Sequence, residues 1–111
     1  MPILGTTSYT ADNLVLATDE LVTDNVLALE TGVSCVRGEI LKKGTTGLIR
    51  LAATGDTPYC IALQTITGGA APVRLTYAIA GEFLASECST NSIGTTATFK
   101  DGLRDVNIIL R

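Results

Sequence analysis

Three cysteines, Cys35, Cys60 and Cys88, are the strongest nucleophiles the chain could offer, and they stand 25 and 28 residues apart. A reactive thiolate or a zinc site needs closely spaced partners, as in C-x-x-C, or a histidine brought alongside. The chain has no C-x-x-C pair and no histidine. Ser-His and Cys-His triads are therefore excluded, together with imidazole metal ligands and the usual switch near neutral pH. An odd cysteine count argues against a disulfide framework. The three are expected to be reduced thiols that pack as small apolar side chains.

The eleven carboxylates are scattered, and only Asp19-Glu20 are adjacent. No spacing suggests a carboxylate pair for acid–base work. Gly44-Thr45-Thr46-Gly47 superficially suggests a phosphate loop. It lacks the G-x-x-x-x-G-K-[ST] order and a helix after it, so a hairpin turn is the expectation. Lys42-Lys43 beside that turn suggests the carrier lysine of biotinyl and lipoyl domains, but Gly44 directly follows Lys43 and a solvated turn flank explains the pair. The chain is thus read as a non-enzyme with no catalytic residue, cofactor or metal, and binding must carry its function.

The elements that would position these residues are mostly strands. Short apolar or alternating segments are expected at 26–29, 32–36, 39–42, 48–52, 59–65, 73–80, 82–85 and 106–110, separated by Gly-, Pro- and Thr-containing turns. In 73–80, Val73, Leu75, Tyr77 and Ile79 alternate with Arg74, Thr76, Ala78 and Ala80. One short helix is expected over 95–104, capped by Thr95 or Thr96, with Phe99 and Leu103 on one face and Gly102 limiting its length. Strands of four to eight residues at this spacing predict an all-β fold, a small antiparallel barrel or sandwich with one short helix.

Charge divides the chain. Residues 1–36 contain no Lys or Arg and five acids, Asp12, Asp19, Glu20, Asp24 and Glu30. Residues 1–25 are rich in Thr, Ser, Asp and Asn and read as an extended N-terminal arm ahead of a small β-domain, 26–111. Ile3, Leu4, Tyr9, Leu14, Val15 and Leu16 would be wasted on a solvated tail, so the arm is expected to meet a partner surface.

At 111 residues the chain makes one domain. An apolar fraction of 46% with only 17% charged residues is too apolar for a disordered chain and low in charge for a solitary small domain. A homo-oligomeric interface would use the excess. A net charge of −3, no Trp and 5% aromatics argue against nucleic-acid binding. No apolar run approaches the roughly 20 residues that cross a bilayer, so no membrane partner is expected. The first residues lack a basic segment followed by an apolar core, which suggests a cytosolic origin.

Several segments in order resemble a known family. They are Gly38-Glu39-Ile40-Leu41-Lys42-Lys43-Gly44-Thr45, Leu51-Ala52-Ala53-Thr54-Gly55-Asp56, Cys60-Ile61-Ala62-Leu63, Val73-Arg74-Leu75, Gly81-Glu82-Phe83-Leu84 and Val106-Asn107-Ile108-Ile109-Leu110-Arg111. Over about residues 26–111 the chain resembles the lambda-like head decoration (capsid cement) proteins of tailed bacteriophages. It departs from them in Ala62, where the family often has Gly, and in a briefer helix. The resemblance implies a β-tulip-like body and a homotrimer on the outer capsid surface of the virion, made in the bacterial host cytoplasm. It further implies that the arm binds the major capsid protein and stabilises the mature shell. Ile3, Leu4, Thr6, Thr7, Tyr9, Leu14, Val15 and Leu16 would be the capsid-binding arm residues, adding main-chain hydrogen bonds with alternate side chains setting register. The alternatives are a small β-barrel binding or carrier module, and a tail or adhesin domain of a virion.

Overall fold

The computed structural model describes residues 14–111, and only the backbone of residues 17–20. Eight strands form one sheet: β1 (Val15–Asp24), β2 (Ala28–Leu29), β3 (Ile40–Lys43), β4 (Leu48–Arg50), β5 (Cys60–Ala62), β6 (Val73–Arg74), β7 (Tyr77–Phe83) and β8 (Ile108–Leu110). The order is β1-β7-β5-β3-β4-β2-β6, with β8 parallel beside the second half of β7. All other pairs are antiparallel except β2 with β4. The sheet curls into a half-barrel, so the all-β class with one short helix holds.

Neighbouring residues on the central strands point to opposite faces, and both faces are apolar. Ile40, Ile61 and Ala78 join a core with Leu14, Leu51, Phe83, Phe99, Leu103, Ile108 and Leu110. Leu41, Cys60, Ala62 and Tyr77 join a second core with Leu29, Cys35, Leu48 and Leu75. The curl of β4, β2 and β6 closes the second core. Helix α1 (Thr96–Asp105) covers the first through Phe99 and Leu103. Ala78 and Phe83 are five residues apart, so strict alternation would put them on opposite faces. Gly81 between them, at φ +142°, resets the alternation and brings both into one core.

Helix α1 starts one residue later than expected. Thr95 is its N-cap, and the Thr95 amide donates to Thr98 Oγ1 at 3.2 Å. Asn107, at φ +70°, ends it in the left-handed conformation and turns the chain into β8. Gly102 has a spatial reason: a Cβ there would lie 3.0 Å from two ring carbons of Pro58.

Three expected strands differ. Residues 32–36 make only an isolated bridge, Cys35 with Ile66. Side chains take the donors a ladder would use. The amides of Val36, Arg37 and Gly68 donate to Glu39 Oε1, Thr65 Oγ1 and Ser34 Oγ. The segment 73–80 is split between β6 and β7. Its break falls at Leu75-Thr76, where the Thr76 amide donates to Gln64 Oε1 at 2.7 Å instead of to a strand. The expected strand 82–85 is the end of β7, which runs through Phe83.

Candidate functional site

The predicted binding residues lie at the start of the chain, and Ile3, Leu4, Thr6, Thr7 and Tyr9 fall outside the described residues. Leu14, Val15 and Leu16 are described, and they belong to the sheet. Residues 15–24, expected within the arm, form the edge strand β1 on β7, so the body begins at Val15, eleven residues earlier than 26. The physical reason is apolar burial. Leu14 is 2% exposed among Phe83, Leu110 and Ile40, and its carbonyl accepts the Leu84 amide at 2.9 Å. While this strand is in place, Leu14 serves its own core and offers nothing to a partner. Val15 is half-buried against the same core, and Leu16 is 44% exposed.

Leu16 is one of four large exposed apolar side chains among the described residues, with Val22, Val26 and Val36. Two of the four, Leu16 and Val22, stand on β1, at the edge of the sheet. On its inner side β1 borders a recess of about 380 Å³. Val15, Leu21 and Thr23 form one wall, and Arg37, Leu63, Gln64 and Thr76 the other. The Arg37 guanidinium is fixed there by donating from Nη1 to the Leu63 carbonyl at 2.8 Å.

The charged side chains around the β3–β4 turn are already engaged. At the β3–β4 turn, Gly44 donates to the Gly47 carbonyl, and Glu30 Oε2 accepts the amides of Thr46 at 2.8 Å and Gly47 at 3.1 Å. A phosphate would need those same donors, so the hairpin reading of the glycine-bracketed turn holds. Lys42 lies 2.9 Å from Asp56 Oδ1, and Lys43 Nζ lies 4.6 Å from the centre of the Tyr59 ring. Both lysines sit in the β3–β4 ladder and not at the tip, where a carrier would display one. The Lys42 hydrogen bond, with the Ala52 and Ala53 amides on Oδ2, holds the Asp56 pKa at about 2, against an ordinary 3.8.

All three thiols are free. Burial raises each pKa, that of Cys88 to about 12, and Cys60 lies deepest in the second core. At neutral pH they are protonated and poorly nucleophilic. Among the described residues no three His, Cys, Asp or Glu side chains cluster as metal ligands. No described helix is long and apolar enough to cross a membrane.

One charged pair lay beyond sequence reasoning. Glu39 is fully buried, and its carboxylate accepts the Val36 amide at 3.1 Å and Arg50 Nε at 2.6 Å. That bond raises the pKa of Arg50. The pair ties the 36–39 loop to β4 and belongs to the architecture. Eleven residues separate the partners, and only the β3–β4 register brings them together, so no local signal could have paired them.

The chain matches no model of a known protein family, and no curated protein sequence matches it.

Proposed function

We propose that this chain is a capsid decoration protein, which binds as a homotrimer to the outer surface of a tailed-phage head and stabilises the mature shell. The observation that carries the reading is the division of labour at Leu14. From Leu14 onward the chain closes two cores of its own. Ahead of it stand Ile3, Leu4 and Tyr9 among Thr6, Thr7, Ser8 and Thr10, with no basic residue. Apolar side chains spaced along a Thr-rich segment suit addition to a strand of the major capsid protein, with main-chain bonds for affinity and alternate side chains for register. Three such arms in one trimer make attachment multivalent, so weak single contacts sum. Binding only the shell form that presents the site stabilises that form by linkage. The ordered motif series from Gly38 to Arg111 supports the same family resemblance. The engaged lysines and protonated thiols leave the carrier alternative with little support.

The test is sedimentation of the purified chain with mature phage heads, beside a variant lacking residues 1–13, with light scattering on both. Both proteins should have three times the mass of one chain, and only the full chain should pellet with heads. Equal pelleting of the truncated form, or a monomeric mass, overturns the proposal.

A further inference from the structure

We infer that β1 opens in two steps: residues 14–17 act as a strap that leaves the sheet while residues 22–24 stay paired. The ladder with β7 comes in two pieces. In the first, Val15 faces Phe83 and Ala17 faces Glu82; in the second, Val22, Thr23 and Asp24 face Ala80, Ala78 and Tyr77. The register also shifts between Val15 and Ala17 and between Val22 and Thr23, but the widest break lies between Ala17 and Val22, where the strand advances five residues while β7 advances two. Three residues of β1 therefore have no counterpart. A ladder interrupted this way does not pass support from one piece to the other, so each depends on its own fixings.

Those fixings differ, with half-buried Leu21 beside the second piece also packing on the first core. The first piece is held by the Leu14 side chain in the first core, by the Leu84 amide on the Leu14 carbonyl at 2.9 Å, and by Val15. The second piece ends in its own turn. Asp24 Oδ1 accepts the amides of Asn25 at 2.7 Å and Val26 at 3.1 Å, and the Leu27 amide donates to the Tyr77 hydroxyl at 3.2 Å. Nothing in that turn depends on Leu14. Loss of the strap would expose Leu14, so the closed form dominates in the free protein. A partner offering an edge to residues 14–17 shifts the balance by its preference for the open form.

The consequence is an arm of two lengths. At about 3.3 Å per extended residue, residues 1–13 reach at most about 43 Å with the strap closed, and residues 1–20 about 66 Å with it open and Leu21 still on the core. The use of the longer arm rests on the capsid-binding reading, but the two-step opening does not.

Native-state hydrogen exchange on the isolated full chain tests the opening without any shell, so its failure is distinct from failure of the functional reading. The amides of residues 15–17 and Leu84 should exchange about tenfold or more faster than those of residues 22–24. Leu14→Ala should speed the first set by about tenfold or more and leave the second unchanged. Leu14→Val is the milder variant should the alanine form fold poorly, with the same pattern at about fivefold. One common rate for both sets, or an equal response of both to the substitution, overturns the inference.

Discussion

Two deletions separate the arm from the body. Residues 14–111 build both described cores, and the arm reading expects residues 1–13 to be dispensable to them. Removing residues 1–20 takes Leu14, which is 2% exposed in the first core, together with the half-buried Val15 and the first piece of the β1 ladder. Burial of a leucine side chain contributes about 1.5–3 kcal/mol, and the vacancy it leaves among Phe83, Leu110 and Ile40 adds to the loss. The longer deletion should therefore cost about 3 kcal/mol, a fall of roughly 10–20 °C in melting temperature for a domain of this size. Thermal unfolding followed by circular dichroism reads both. The shorter deletion should melt within about 2 °C of the full chain, since surface changes usually stay within about 0.5 kcal/mol. If both deletions melt alike, Leu14 is not the boundary between arm and body, and the reasoning fails.

Three further outcomes follow from the interior and the loops. Glu39→Gln should cost about 2 kcal/mol in denaturant unfolding, less than the about 3–5 kcal/mol of a fully buried pair, because the Arg50 side chain is 37% exposed; an unchanged midpoint would contradict the role given to the pair. The folded-state pKa of Asp56, about 2, lies below its ordinary 3.8, so its contribution is present above about pH 4 and is lost as the pH falls through 2. Asp56→Asn should accordingly flatten the acid limb of a stability–pH curve, and an identical limb would refute the assignment. Thiol labelling at pH 8 should proceed at Cys88 before Cys60, with Cys60 reacting only as the protein unfolds; fast labelling of Cys60 in the folded state would contradict its place in the second core.

Much of the body was legible because its signals are local. The Gly44–Gly47 turn, the alternation after Tyr77 and the Phe99–Leu103 spacing each carry their structure in a few adjacent residues. β1 reads as arm in the sequence because an edge strand of Thr, Asp and Glu has the composition of a solvated segment. Only the pairing of Leu14 and Val15 with a strand more than sixty residues away reveals it. Gly102 was read as a limit on the helix, whereas its reason is the Pro58 ring against the helix surface. The pairing of Glu39 with Arg50 and the recess beside β1 needed the sheet register, which no short motif encodes. Of the predicted binding residues, Leu14 belongs to the core and Leu16 remains outward, although two residues apart on a regular strand would share a face; the register shift between Val15 and Ala17 breaks that alternation.

The most direct test of the proposed capsid-binding role is electron microscopy of virus particles from cells that produce this chain, at a resolution that traces the backbone. The account predicts three copies of the half-barrel around local three-fold positions on the outside of the head, each with residues 1–13 paired along a capsid subunit. A particle that lacks the chain, or carries it as single copies with those residues unattached, would contradict it.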